Sequence, residues 1–336
     1  MQYRLFGRSG LRVSELCLGT MGFGTEWNWG ADREGSKAVF DAFANAGGNF
    51  LDTANYYTKG TSERWLGEFV ASDRDHFVLA TKFTLTDRPG DPNFSGNHRK
   101  NMMRSVEESL KRMQTEYIDL LWLHMWDSTT PVEEVLRGLD DLVRSGKVHY
   151  IGISDTPAWI VSQANMMAEL RGWTKFAGLQ IEYSLLQRTP ERDLLPMAEA
   201  WNMAITPWGA LGGGALTGKY LRGEKGRLPE HSKRLDERAR NIAQAVVEVA
   251  SETGLAPAQV ALRWMMQRKG LTVIPIVGAT KAAQLTDTLS AATVSLEEEL
   301  LKKLDEASRI ELGFPHDFLQ SEGALTAMGN VRHLIK

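Results

Sequence analysis

The sequence predicts an α/β chain folded as a single (β/α)8 TIM barrel over residues 1–336, with an N-terminal β-hairpin and extra helices. Three observations carry this expectation. Short apolar runs alternate with amphipathic stretches eight times along the chain. Most of those runs are apolar throughout and rich in Ile, Leu and Val, as strands covered on both faces are. The length of 336 residues holds the ~250 that such a barrel needs, with an excess for loops. A doubly wound sheet shares the alternation, but it calls for Gly-x-Gly-x-x-Gly after its first strand. The first strand here runs instead into Gly19-Thr20-Met21-Gly22-Phe23-Gly24, so the barrel is the better reading.

Residues Tyr3–Ser14 form two short alternating runs around a Gly/Ser turn and read as the hairpin. Strands are expected at Glu15–Gly19, Asn49–Thr53, Phe77–Lys82, Tyr117–His124, Val148–Ser154, Gly178–Tyr183, Met203–Pro207 and Val273–Val277. Between them, helices are expected at Glu34–Ala46, Ser62–Ala71, Lys100–Met113, Val132–Ser145, Ala158–Leu170 and Arg192–Trp201. Asp236–Thr253, Pro257–Lys269, Ala282–Leu289 and Leu296–Ser308 complete the helical set. Gly47-Gly48 stops the first helix, while Pro131 and Pro257 sit in first turns, where a missing N–H is harmless. The loop Thr84–His98, the segment Thr217–Leu235 and the C-terminal tail account for the remaining excess.

Composition excludes several classes of function. A net charge of -3 lacks the basic surplus of a nucleic-acid binder. The N-terminus has no apolar core of a signal peptide, and no apolar stretch approaches the ~18 residues that span a bilayer. The one cysteine, Cys17, cannot form an intramolecular disulfide, which suits a reducing cytoplasm. It lies in an apolar run and reads as a buried small hydrophobe. His76, His98, His149, His231, His316 and His333 show no metal-ligand spacing, and no metal is expected.

Catalytic groups of a barrel stand at the C-terminal ends of its strands. Those positions hold Asp52 and then Tyr57 after strand two, Lys82 on strand three and His124 on strand four. Alone, each has an ordinary reading: a turn former, a loop aromatic, a solvated strand end and a capping histidine. Together, four different ionisable groups on one rim suit acid–base work on a carbonyl oxygen. A tyrosine with a pKa near ~10 exchanges protons poorly at neutral pH, and a neighbouring ammonium lowers that value. A buried aspartate holds the lysine charge in place, and histidine aligns the incoming carbonyl. With no metal cluster and no nucleophile–base pair, hydride transfer from a bound cofactor is the partner reaction.

Longer motifs surround these residues: Asn49-Phe50-Leu51-Asp52-Thr53-Ala54-Asn55-Tyr56-Tyr57, Ala80-Thr81-Lys82, Leu121-Trp122-Leu123-His124 and Gly152-Ile153-Ser154. Further on come Gln180-Ile181-Glu182-Tyr183-Ser184, Leu216-Thr217-Gly218-Lys219-Tyr220 and Pro275-Ile276-Val277-Gly278-Ala279-Thr280-Lys281. In them the chain resembles the aldo-keto reductase superfamily, from Leu18 to at least Leu289. The Leu-Thr-Gly-Lys-Tyr run is similar to the bacterial branch related to potassium-channel β subunits. The resemblance implies reversible, NAD(P)H-dependent reduction of an aldehyde or ketone, with a tetrad of Asp52, Tyr57, Lys82 and His124 and Tyr57 as general acid. It also implies a nicotinamide site at Gly19, Thr20, Met21 and Asp52, with the carboxamide held by Ser154, Asp155 and Gln180 and the ring covered by Trp208. The diphosphate is then expected along Gly209, Ala210, Leu211, Gly213, Gly214 and Lys219, where glycine permits close approach. The adenosine end is expected at Val277, Gly278, Thr280, Lys281, Gln284, Asp287 and Thr288.

Two positions depart from the family pattern. Asp155 stands where Asn is usual, and an ionised carboxylate accepts hydrogen bonds but donates none. Gln284 stands where many NADP-preferring members carry Arg, while Lys281 can still meet a 2′-phosphate as a point charge. NADP(H) is therefore the expected cofactor, with NAD(H) as a second candidate. Trp27, Trp29, Phe94, Met125, Trp126 and the tail around Phe314 and Phe318 are candidate pocket walls, which suggests a bulky, apolar small-molecule carbonyl substrate. Two other classes of function stay open at this stage. One is a cofactor-binding sensor or subunit of the channel-β type with slow turnover; the other is a lyase or aldolase using Lys82 as a Schiff-base amine.

Overall fold

The computed structural model describes residues 1–331 and residue 334, so His333 lies outside the described residues. A short hairpin, β1 (Tyr3–Leu5) and β2 (Arg12–Ser14), precedes a parallel sheet and repeating helices. In chain order these are β3 (Cys17–Gly19), α1 (Arg33–Asn45), β4 (Phe50–Asp52), α2 (Thr61–Val70), β5 (Val78–Phe83), α3 (Arg99–Met113) and β6 (Ile118–Leu123). There follow α4 (Val132–Arg144), β7 (Val148–Ser154), α5 (Ala158–Arg171), β8 (Gly178–Glu182), α6 (Leu194–Ala200) and β9 (Ala204–Trp208). The series ends with α7 (Glu237–Thr253), α8 (Pro257–Met266), β10 (Thr272–Val273), β11 (Ile276–Val277), α9 (Ala282–Leu289) and α10 (Glu298–Ser308). Two short helices, α11 (His316–Leu319) and α12 (Glu322–Ala327), occupy the tail. No helix among the described residues is long and apolar enough to cross a membrane.

The strands lie in the order β10-β9-β8-β7-β6-β5-β4-β3-β11. β10 and β11 are two halves of the eighth strand, so the sheet closes on itself as a (β/α)8 barrel. The sequence pattern predicts this strand as continuous from Val273 to Val277, but it is split. Pro275 lacks the N–H that a central ladder requires. The chain therefore changes partners across it: Ile274 N donates to the Ile205 carbonyl at 2.8 Å, and Cys17 N donates to the Pro275 carbonyl at 3.0 Å. His98 caps the N-terminus of α3, its Nδ1 accepting from Asn101 N at 3.3 Å.

Alternate strand residues fill the interior. Phe50, Val78, Ala80, Leu120, Trp122, Ala204 and Cys17 pack there with Phe6, which the hairpin contributes. Phe6 meets Phe50 and Trp122 edge-on, with ring centroids 5.7 and 6.1 Å apart, the arrangement that aromatic quadrupoles favour. Two glycines make room for these rings. A β-carbon on Gly152 would stand 2.3 Å from the Trp122 indole, and one on Gly178 would stand 2.3 Å from Phe6.

Replacing Gly152 by Ala therefore overpacks the barrel floor and is expected to cost about 1–3 kcal/mol, read as a lower Tm. Adding Trp122→Phe in the same chain should recover part of the loss; a Gly152→Ala protein as stable as its parent would contradict this packing account.

Candidate active site

The period-2 alternation of strands decides which groups reach the barrel mouth. Phe50, Ala80 and Trp122 face the interior, so Asp52, Lys82 and His124, each two residues further on, face the same way. Gly152 and Gly178 deliver Ser154 and Gln180 by the same parity. Tyr57 arrives by a different route. After β4 the chain turns through Tyr57–Gly60 with Thr58 and Lys59 at φ 46° and 54°. The Thr58 hydroxyl donates to the Phe23 carbonyl at 2.7 Å and anchors this turn.

Lys82 is the hub. It is 1% exposed, and its Nζ donates to Asp52 Oδ2 at 2.5 Å, to the Thr53 carbonyl at 2.8 Å and to the Tyr57 hydroxyl at 3.2 Å. All three ammonium protons thus have an acceptor. The other Asp52 oxygen accepts from Gln180 Nε2 at 3.0 Å. His124 meets the Tyr57 ring edge-on, with centroids 6.0 Å apart. Among the described residues, His124 Nδ1 and Ser154 Oγ are buried without a hydrogen-bond partner.

Protonation states follow from these surroundings. Burial alone pushes Lys82 down, but the charge of Asp52 and the hydrogen bonds to Asp52 and Tyr57 outweigh it and hold the ammonium above its usual range. Burial pushes the Tyr57 phenol up, and the pull of Lys82 offsets only part of that rise. The expectation of a lowered tyrosine pKa is therefore corrected in sign. Lys82 does favour the phenolate, but loss of water around the ring weighs more, and Tyr57 is a protonated hydroxyl at neutral pH. Burial, then the charge of Lys82, keep His124 well below its ordinary value and so neutral.

Asp155 follows Ser154 in a left-handed conformation, φ 42°. Its Oδ1 accepts from Trp208 Nε1 at 3.1 Å. The surrounding protein withdraws water from this carboxyl and pushes it up to about 6, although the bond from Trp208 pulls the other way. Beyond β9, Gly213 and Gly214 adopt φ 69° and 91°, conformations natural to glycine, and Lys219 folds back beside Gly214. Gly209 sits against Glu182, Ala210 is buried, and Leu211 packs against the core. Gly19 carries the register partner of Asp52, and Thr20 donates to the Asp52 carbonyl at 3.0 Å, with Met21 next in the chain. On the neighbouring lip, where β11 pairs with β3, Val277 is buried, Gly278, Thr280, Lys281, Gln284 and Asp287 are exposed, and Thr288 is half-buried around the start of α9. A buried, unpartnered Ser154 hydroxyl, a flat indole and bare glycine backbone on one rim fit an extended cofactor with a planar ring.

Of the expected pocket walls, Trp27 packs among Trp29, Tyr56 and Tyr57 at centroid distances of 5.8, 5.7 and 6.3 Å. Met125 is exposed and Trp126 half-buried, both directly after His124. Phe94 is placed differently. The guanidinium groups of Arg88 and Arg104 lie over its ring, 3.9 and 4.1 Å from the centroid. Phe314 and Phe318 pair with each other, both exposed, in the tail. The sequence pattern assigned no role to Arg227, which lies 4.6 Å over the Trp29 ring. Nor did it single out Arg234, ion-paired with Glu182 at the end of β8. A cluster of cations in the long segment after β9 was the available signal.

Comparison with known proteins places this chain among relatives. The model of the aldo/keto reductase family matches residues 15–309. The chain is 40% identical over 325 residues to the norsolorinic acid reductase of Aspergillus flavus, covering 94% of this chain and 83% of that one. It is 39% identical over 330 residues to an aryl-alcohol dehydrogenase of Phanerodontia chrysosporium whose name carries NADP(+), covering 91% and 86%. The aldo-keto reductase ausK of Aspergillus calidoustus is 37% identical over 345 residues, covering 97% and 87%.

Breaking the buried pair with Asp52→Asn strands a charge and is expected to cost about 3–5 kcal/mol at neutral pH. Because Asp52 raises Lys82 in the folded state, that cost is full while the lysine is charged. It fades only at alkaline pH, where the stranded lysine of the variant sheds its proton while the parent's Lys82 keeps its own beyond the ~10.4 of a free lysine. Thermal denaturation of both proteins at neutral and alkaline pH reads it, and a Tm gap that widens with pH would refute the pairing argument.

Proposed function

The chain belongs to the aldo/keto reductase family, and on that premise we propose that it is an NADPH-preferring carbonyl reductase with Tyr57 as its acid and a bulky, aromatic ketone or aldehyde as its substrate. The observation that carries this reading is the buried Lys82 ammonium, shared between Asp52 and the Tyr57 hydroxyl. The substrate carbonyl oxygen accepts hydrogen bonds from Tyr57 and from the neutral His124. A nicotinamide held beside Ser154, Gln180 and Trp208 would supply the hydride. The Tyr57 hydroxyl gives its proton to the oxygen, which becomes the alcohol. The resulting phenolate is stabilised by Lys82, 3.2 Å away, and takes its proton back from solvent. In the oxidative direction the same groups run in reverse.

Lys82 is a poor Schiff-base amine in this setting. Its partners hold it protonated, whereas an amine nucleophile needs a lowered pKa. For the cofactor, Ser154 and Gln180 are the proposed carboxamide contacts, Trp208 covers the ring, and Gly213, Gly214 and Lys219 line the diphosphate path. Lys281, exposed at the start of α9, is the proposed 2′-phosphate contact and the basis of the NADPH preference; NADH remains the second cofactor. The indole cluster of Trp27 and Trp29, with Met125 and Trp126 across the mouth, supports a flat aromatic substrate. The names of two relatives, a norsolorinic acid reductase and an aryl-alcohol dehydrogenase, point to the same class. We read the whole chain as one cytoplasmic barrel unit.

Purified protein with NADPH and a panel of aromatic aldehydes and ketones tests this directly, by loss of nicotinamide absorbance. Tyr57→Phe should lower kcat by at least about a hundredfold, the scale of a lost general acid, while the Kd for NADPH changes little. Retained turnover in that variant would remove Tyr57 from the acid role. Lys281→Ala should raise the KM for NADPH by about tenfold, the worth of a partly exposed charge-assisted bond, and leave NADH nearly unaffected. Equal losses for the two cofactors would take Lys281 out of the 2′-phosphate site.

A further inference from the structure

Three residues on neighbouring strands share one side of the mouth: Asp155 just after β7, Gln180 within β8 and Trp208 at the end of β9. The family pattern assigns the first of these to the nicotinamide carboxamide, yet the Asp155 carboxylate already has a partner. Its Oδ1 accepts from Trp208 Nε1 at 3.1 Å, and an indole has that single donor and no acceptor. Gln180, for its part, spends Nε2 on Asp52. The backbone of Asp155 is fastened on both sides. Its N–H donates to the Gln180 carbonyl at 3.2 Å, and its carbonyl accepts from Trp126 N at 3.4 Å. With φ at 42°, the left-handed turn swings the side chain across the end of β8 toward β9. Asp and Asn tolerate this conformation better than other side chains.

We propose that Asp155 is a positioning residue for the reductase: its carboxylate fixes the Trp208 indole in the orientation in which that ring covers the nicotinamide. The proposal rests on the cofactor reading above and reassigns Asp155 within it, from a carboxamide contact to the brace of the stacking ring. A carboxylate does this better than the usual amide, since a charge-assisted bond is roughly twice as strong as a neutral one.

The brace has a built-in dependence on acid. Crowding by protein pushes the Asp155 carboxyl up to about 6, against the pull of Trp208 and of Lys82 from β5, while Glu182 from β8 pushes it further. Glu182 is itself ion-paired with Arg234. From the turn after β4, Tyr57 faces it as a neutral phenol. From the loop after β6, His124 is neutral, and the Asp127 carboxylate is occupied by Asn97, Thr129 and Thr130. Above about pH 6 the brace is charged and strong; below it the carboxyl takes a proton and the bond from Trp208 weakens.

Calorimetric titration with NAD+ tests this, because NAD+ lacks a 2′-phosphate, whose own ionisation falls near ~6. For the parent protein, Kd should rise roughly three- to tenfold between about pH 8 and about pH 5, the difference between charged and neutral acceptors. Asp155→Asn keeps an acceptor oxygen and cannot titrate, so its Kd should be nearly flat over the same range. Trp208→Phe, which has no donor, should also be flat and should show no further change when combined with Asp155→Asn. A slope that survives in Asp155→Asn would overturn the proposal. So would a slope that survives in Trp208→Phe, since Asp155 would then act directly on the positive nicotinamide. If neither NAD+ nor NADPH binds at any pH, the cofactor reading falls and this proposal with it; binding with a slope indifferent to both residues defeats this proposal alone.

Discussion

The buried contact between Lys82 and Asp52 is the constraint on which the barrel mouth depends. A charged lysine with 1% of its surface exposed is tolerable only where its protons and its charge are all answered. Asp52, the Thr53 carbonyl and the Tyr57 hydroxyl do so, and each answer fixes something else. The Asp52 carboxylate brings Gln180 in from the far side of the barrel. Tyr57 is held where its ring meets both His124 and Trp27. Asp52 holds the lysine charged against the pull of burial, while burial keeps the tyrosine and histidine neutral. In the function proposed above, the proton donor, the charge that stabilises the anion it leaves and the neutral imidazole that aligns a carbonyl all stand around one desolvated ion pair.

Much of this was legible in the sequence, because strand ends can be read locally. Asp52, Lys82 and His124 stand at the ends of three expected strands, which puts them on one rim of a barrel, and their chemistry pointed to carbonyl reduction. The eight-fold alternation likewise announced the barrel. What escaped were contacts between side chains far apart in the chain and not bound by parity. Nothing local tells that Trp208 finds Asp155, that Arg227 lies across Trp29, or that two arginines cover the ring of Phe94. The direction of the Tyr57 shift escaped for a related reason. Sequence shows that a lysine is near, while the weight of burial against charge depends on how much water the folded chain removes.

The aromatic side chains of the barrel lie at two levels. Phe6, Phe50 and Trp122 pack the barrel floor against glycines that leave no slack, whereas Trp27, Trp29, Met125 and Trp126 stand on loops above the strand ends. The upper group touches the site through Trp27, which meets the Tyr57 ring, and the core through Trp126. The lower group touches the site through Trp122, the strand neighbour of Lys82.

The split eighth strand has a consequence for how the molecule is made. Its second half, β11, pairs with β3 at Ile276–Cys17 and Val277–Leu18, so the barrel cannot close until nearly the whole chain has left the ribosome. The Lys82–Asp52 pair, by contrast, joins residues only 30 apart and is available early. Until Val277 arrives, the nascent chain carries an open sheet whose first strand has an unpaired edge, the kind of surface on which partly folded chains associate. The two residues of β11 are a small clasp for so long a wait, and the vulnerable period in the life of this protein lies before its last strand is in place.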